Sequence, residues 1–294
     1  MKWGISQIIT GFIHIINIIK IKNMKMRHKK KPILIWAALV AVLALCPSQA
    51  SSQTLRGDFD YNGRTDINDL TELINYLLTD EWDAAPTGVV RDTLTVKGVQ
   101  FVMVHVDGGS YSLGEGITGT VQDFWIGQTE VSQRLWKAVM GNNPSYFANY
   151  LMSDDLPVEN VSWVECQAFI DSLNALTGKA FRLPSSLEWG FAARGGNLSH
   201  GYTYSGSDNP MLVAWHSSNS LTNEKNIAQL TPNELGLYDM SGNVNEWCQD
   251  QASSGQRVMR GGDYHWDASH CQVSWTGSSN PNKGQRLIGL RLAM

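Results

Sequence analysis

The sequence predicts an α+β fold with little regular secondary structure, and three observations predict it. Apolar and polar residues alternate over Asp92–Val106, the period of half-buried strands. Ser132, Ser162 and Ser185 each precede a stretch with helical spacing of apolar residues. From Gly201 onward Gly, Ser, Asn and Trp dominate without any period, so loops rather than long elements fill that half. The centre of the chain is Leu235–Trp247, LGLYDMSGNVNEW. Gly236 and Gly242 permit turns that a side chain would block. Tyr238, Met240 and Trp247 need a core, while Asp239, Asn243, Asn245 and Glu246 crowd oxygen atoms between them. Such a loop is a candidate site for Ca²⁺, which takes carboxylate and carbonyl oxygens. The plain alternative is a turn and a strand with solvated carboxylates.

The N-terminal residues predict export. Eight of the 23 Lys and Arg fall within residues 1–50, which hold no acid, so the net charge of −4 hides a remainder with 15 basic and 27 acidic residues, a net of −12. That acidic balance argues against nucleic acid and an anionic membrane surface as partners. Arg27-His-Lys-Lys-Lys31 precedes the apolar run Pro32–Cys46, which has the length of a signal-peptide core, and Ser48-Gln-Ala50 offers small residues for cleavage. Residues 1–50 are therefore an extension and signal peptide, with Met24 and Met26 as alternative starts. The destination is periplasmic, cell-surface or secreted. Leu43-Ala-Leu-Cys46 resembles a lipobox only weakly, because Leu45 is bulky.

Residues 57–80 read GDFDYNGRTDINDLTELINYLLTD. Asp58, Asp60, Asn62, Asp66 and Asp69 take positions one, three, five, nine and twelve of a loop, with Gly63 at the sharp turn and Arg64 offering its carbonyl. Ile67, Leu70, Leu73, Ile74 and Leu77 continue as an amphipathic helix. This small loop–helix calcium module resembles one half of a dockerin, which implies a possible docking partner; dockerins carry two such repeats, and one is found here. Residues 81–94 form a linker, and residues 95–294 the main domain.

Within that domain Leu94, Val96, Val102, Val104 and Val106 mark strands, and Phe124–Val131 marks another. Ser132 caps a helix through Met140, which Gly141 ends. Ser162 with Glu165, and Ser185 with Glu188, are capping boxes. The first predicts a helix burying Cys166, Phe169, Ile170 and Leu173 and stopping near Gly178. The second predicts one burying Leu187, Trp189, Phe191 and Ala192 and stopping at Gly195-Gly196. Eleven tryptophans suit core packing or a contact surface. Of four cysteines Cys46 leaves with the signal or carries lipid, and the other three allow one disulfide and one free thiol.

In order along the chain, Leu156–Gly196, the central LGLYDMSGNVNEW, RVMRGGDYHWDASHC at Arg257–Cys271 and the terminal IGLRLAM resemble the formylglycine-generating enzyme (sulfatase-modifying factor) family over roughly Thr95–Met294. The resemblance implies a C-type-lectin-like fold. It implies structural calcium on Asp239, the carbonyls of Gly242 and Val244, and Glu246; the family's other calcium loop is shortened around Trp215–Thr231 and is not carried over. Family members oxidise a cysteine of a sulfatase segment with O₂, using a copper ion held by two cysteines five residues apart after a Gly-Gly-Ser. Two soft thiolates suit Cu(I). Here Asp263 follows Gly261-Gly262, Trp266 stands at the first cysteine position, and Cys271 alone survives. The expectation is a non-catalytic ligand-binding or accessory protein, with formylglycine-generating oxidase (Cys271 catalytic, copper bound) and calcium-dependent scaffold component as alternatives.

Without a second copper cysteine, Cys271 is expected as a buried thiol or as the partner of Cys248 in a disulfide, a pairing that leaves Cys166 free and buried. The resemblance points to Asp263, Tyr264, His265, Trp266, His270 and Trp275, flanked by Asp267, Gln272, Ser274 and Asn280, as a recognition surface for a peptide, protein or glycan. The Gly-Gly…Cys…Arg-Leu frame over Arg260–Leu292 is also similar to that of ligand-binding proteins diversified by retroelements. Polar surface loop is the plain alternative.

Overall fold

The computed structural model describes residues 88–114, 117–150 and 153–294. The export segment and the acidic repeat, with Asp58, Asp60, Asn62, Arg64, Asp66 and Asp69, lie outside the described residues. Among the described residues no helix is long and apolar enough to cross a membrane.

Strand β1 (Arg91–Val96) pairs antiparallel with β2 (Val99–Val106), and β2 with β5 (Phe124–Gly127), giving a three-stranded sheet in the order β1-β2-β5. The β1–β2 turn holds Lys97 and Gly98 at φ 47° and 82°, the doubly left-handed geometry that matches strand twist in tight hairpins. Strands β3 (Gly109–Gly114) and β4 (Ile117–Val121) form a separate hairpin. A third sheet has the order β8-β7-β6-β9, from β6 (Asn245–Gln251), β7 (Arg257–Arg260), β8 (Gly277–Ser279) and β9 (Ile288–Gly289); β9 runs parallel to β6 and the other pairs are antiparallel.

The helices begin where serine supplies the missing acceptor. Helix α1 (Gln133–Met140) starts with Ser132 Oγ accepting from Leu135 N and ends at Gly141 with φ 79°. Helix α2 (Trp163–Thr177) and helix α3 (Ser186–Ala193) both carry complete capping boxes, Ser162 with Glu165 and Ser185 with Glu188. Helix α4 (Pro210–Val213) is a single turn. Between α4 and β6 the chain forms turns and bends, as the loss of periodicity predicts.

Two apolar clusters hold these pieces. One gathers Trp136, Phe169, Leu173, Leu183 and Trp247, with Trp136 and Phe169 stacked at 4.8 Å. The other gathers Trp189, Phe191, Leu237, Met240 and Cys248. An aromatic side chain burying roughly 200 Å² contributes about 5 kcal/mol before entropy is set against it. Strand β6 joins the clusters: consecutive strand side chains point to opposite faces, so Trp247 enters the first and Cys248 the second.

This alternation also corrects the expected disulfide. Cys166, Cys248 and Cys271 are all free and buried. Cys248 packs among Trp189, Met240 and Val273, whereas Cys271 packs in a third cluster with Tyr204, Val213 and Ala214.

Candidate functional site

Strand β7 ends at Gly261-Gly262, both at positive φ, 94° and 73°. A Cβ on Gly262 would lie 2.3 Å from the His270 carbonyl oxygen, so only glycine lets the loop fold back over itself here. The turn sends Asp263 inward, where its Oδ2 accepts from Asn245 Nδ2 at 2.6 Å and its Oδ1 from His265 N at 2.8 Å. Burial raises the Asp263 carboxyl above its ordinary range, and the backbone donors oppose that shift. Tyr264 is wholly buried against Phe147 and Leu156.

The loop then surfaces. Trp266 is 52% exposed, and its carbonyl accepts from Ser217 N at 2.9 Å. Asp267 caps a short 3₁₀ turn, Ala268–Cys271, by accepting from Ser269 N. His270 lies 5.2 Å from the Trp266 ring and 5.8 Å from that of Trp275, so the three rings form a continuous aromatic patch. His270 Nδ1 sits 3.3 Å from Asp267 Oδ1. Asn245, Met259, Gly262, Asp263, Trp266, His270, Trp275, Gln285, Leu287 and Ile288 line a cleft of about 270 Å³.

Four of the six residues expected to bind ligand, Asp263, Trp266, His270 and Trp275, thus share one cleft. Tyr264 turns into the core and His265 stands on the outer surface, so neither lines it. Asn245, Met259, Gln285, Leu287 and Ile288 complete the wall. Asn245 lies within the central motif, where the sequence marks its oxygen but not its direction. The others come from β7 and from the segment entering β9, and no local pattern marks them.

Glu246 and Asp239 were expected to hold calcium. The structure gives Glu246 a different partner: Arg291 Nε reaches its two oxygens at 3.0 and 2.9 Å, Arg291 Nη2 reaches Oε1 at 2.7 Å, and Trp189 Nε1 donates to Oε2 at 2.6 Å. Both side chains of this ion pair are fully buried. Burial opposes the charge on Arg291, but Glu246 outweighs it and raises its pKa. Arg291 also donates to the carbonyls of Gly127 and Tyr238. Asp239 Oδ2 accepts from Ala228 N at 2.7 Å. Burial, reinforced by the nearby Asp239, holds Glu130 well above its ordinary range. Burial also pushes Asp239 up to about 6, against the Ala228 N–H. Glu246 is thus committed to Arg291 and Trp189, whereas Asp239 Oδ1 is buried without a hydrogen-bond partner among the described residues.

Copper does not fit. Cys271 is a lone thiol, fully buried, with Sγ 4.0 Å from the Asp263 carbonyl. Burial, with Asp263 and Asp267 nearby, pushes it up to about 12, so the thiolate that copper requires is strongly disfavoured. Among the described residues, the group of three His, Cys, Asp or Glu side chains with ligand atoms within 4.8 Å of one another is His105, Asp107 and Asp123, and it does not include Cys271.

Short sheets, capped helices and a glycine-turned loop laid over a central strand define an α+β domain of the formylglycine-generating-enzyme type. Residues 89–294 match the sequence profile of the sulfatase-modifying factor enzyme 1-like domain, and the chain belongs to this family. The chain is 30% identical over 254 residues to the chaperone protein LppX of Paenibacillus barcinonensis, with 63% of this chain and 88% of that protein covered. It is 29% identical over 169 residues to the formylglycine-generating enzyme of Streptomyces coelicolor, covering 47% of this chain and 52% of the enzyme. The chain therefore spans only about half the length of that enzyme. Among solved structures, Treponema denticola variable protein 1 superposes with a TM-score of 0.63 at 30% identity, over 69% of this chain and 98% of that one.

Proposed function

We propose that this chain is an exported, non-catalytic member of its family that binds a ligand in the aromatic cleft between Asp263 and Trp275. One observation carries the reading: Cys271, at the family's second copper position, is a solitary buried thiol held protonated, while Trp266, at the first, is an exposed indole on the cleft rim. A binding surface remains where a redox centre would require two accessible thiolates. Two relatives support a role without oxidation by their names alone: the chaperone protein LppX, and the inactive Cα-formylglycine-generating enzyme 2 of Bos taurus, 30% identical over 157 residues that cover 47% of this chain and 50% of that protein. The basic and apolar N-terminal run supports export.

The test is retention of ligands from peptide and glycan arrays. Trp266→Ala and Trp275→Ala each lower binding by about tenfold or more while the circular dichroism spectrum is kept. Retention untouched by both substitutions would refute a cleft ligand. The competing oxidase reading predicts that the pure protein with copper, O₂ and a Cys-x-Pro-x-Arg peptide yields a product of aldehyde mass; we expect none. The acidic repeat at 57–80 is proposed as a calcium-dependent docking module, because its oxygens fall at loop-ligand spacing. A pull-down of a partner that needs neither calcium nor Asp58 rules that out.

A further inference from the structure

The cleft has a donor–acceptor asymmetry that selects the charge of its occupant. Asn245 is 3% exposed, and its Nδ2 donates to Asp263 Oδ2 at 2.6 Å. That bond fixes the amide, since the flipped amide would set its oxygen against a carboxylate. Asn245 Oδ1 is left buried without a hydrogen-bond partner among the described residues. Asp263, 1% exposed, has a carboxylate with about four acceptor sites and receives Asn245 Nδ2 and the backbone N–H groups of His265 and Trp266. Gln285 donates one amide N–H to Ser279 Oγ, which leaves its second N–H and its carbonyl open to a ligand. No Lys or Arg lines the cleft. The inner wall therefore offers the Asn245 Oδ1 acceptor and the Asp263 carboxylate, with no Lys or Arg opposite them.

The rest of the wall is apolar and aromatic. Met259, Leu287 and Ile288 surround the passage, and the Trp266 and Trp275 rings form the rim. The volume of about 270 Å³ lies at the lower end of small-molecule pockets and has room for a single side chain with part of its flanking backbone. An apolar occupant would seal Asn245 Oδ1 away from any donor, and an anion would face Asp263. An ammonium group answers the asymmetry: it has three donors and no acceptor, it is attracted to indole faces, and a methylene stem suits the apolar passage.

Resting on the binding function proposed above, we infer that the cleft accepts a lysine-type side chain, an ammonium on an unbranched apolar stem, presented by a peptide. Asn245 and Asp263 receive the N–H groups, Met259, Leu287 and Ile288 enclose the methylenes, and the Trp266 and Trp275 rings flank the stem where it enters at the rim.

Isothermal titration of the full chain with three short peptides tests this. The peptides are identical except for a central lysine, Nε-acetyl-lysine or norleucine. The lysine peptide binds, and the two neutral peptides bind at least about tenfold more weakly, as expected when a charged hydrogen-bonding partner is removed from a desolvated site. Asp263→Asn and Trp266→Ala each weaken the lysine peptide by a similar factor. Because Asp263 is buried and its variant can fail to fold, the comparison among peptides on the unaltered chain decides. Neutral peptides binding within threefold of the lysine peptide, or no binding of the lysine peptide, overturns the inference. A neutral ligand that binds and depends on Trp266 overturns the cation while leaving the cleft as the binding site. Binding of every ligand unchanged in Trp266→Ala and Trp275→Ala removes the cleft itself.

Discussion

Glu246 shows what a sequence gives away at the scale of one residue and what it hides. Its place among Asp239, Asn243 and Asn245 is visible in the chain, and so is the crowding of oxygens. Its partner is not, because Arg291 returns from the far end of the chain to make the bidentate pair. Removing one member of such a pair strands a charge in a fully buried setting. Arg291→Met is expected to lower stability by about 3–5 kcal/mol, measured by urea unfolding. The double variant Arg291→Met, Glu246→Gln should regain part of that loss, since it leaves no unpaired charge. An effect below about 1 kcal/mol for the single change would show that the pair does not form. Tyr264 escapes local pattern for a similar reason: it stands among the loop's polar residues, but Phe147 and Leu156 supply a buried slot for it. Asp263, Trp266, His270 and Trp275 are legible because Gly261-Gly262 announces a turn and aromatic residues crowd the stretch after it.

At the scale of elements the helices are the most legible part, because capping is local chemistry. Ser162 and Ser185 each receive the N–H three residues on, and Glu165 and Glu188 answer back to the cap. Glu188 also holds Arg182 at 2.7 and 2.6 Å; burial works against its charge, but Arg182 and Ser185 win and lower its pKa. Ser162→Ala and Ser185→Ala should each cost about 1 kcal/mol in chemical unfolding. The Ser185 variant should be the more costly, because its Glu188 also anchors Arg182; equal or negligible costs would contradict this. The hairpin β1–β2 is readable from alternation, whereas β9 is not. Two residues running parallel to β6 carry no period, and their pairing depends on the register of a strand far upstream.

Across the whole molecule, acidic groups sealed inside the fold set its response to pH. Burial first, against backbone donors at Phe147 and Tyr146, pushes Glu159 up to about 7. Burial, with Glu159 nearby, pushes Glu224 up to about 10. Both are neutral in the fold at pH values where the unfolded chain would ionise them. The folded state thus binds more protons between the ordinary glutamate range and these raised values, and stability falls as pH rises through that window. The melting temperature should be higher near pH 5 than near pH 8. Glu224→Gln, which keeps the hydrogen bond with Gln133 possible without a titrating proton, should flatten the decline. A melting temperature that rises from pH 5 to pH 8 would refute the assignment. None of this can be read from Glu159 or Glu224 in the chain, where each is an ordinary acid beside polar neighbours; only packing against Gln133, Phe147 and Tyr264 makes them costly to ionise.

Strand β6 sends Trp247 and Cys248 to opposite sides, and the thiols of Cys166, Cys248 and Cys271 lie in three separate clusters. Dithiothreitol has no tie among these cysteines to cut, and the melting temperature of the domain is expected to be the same with and without it.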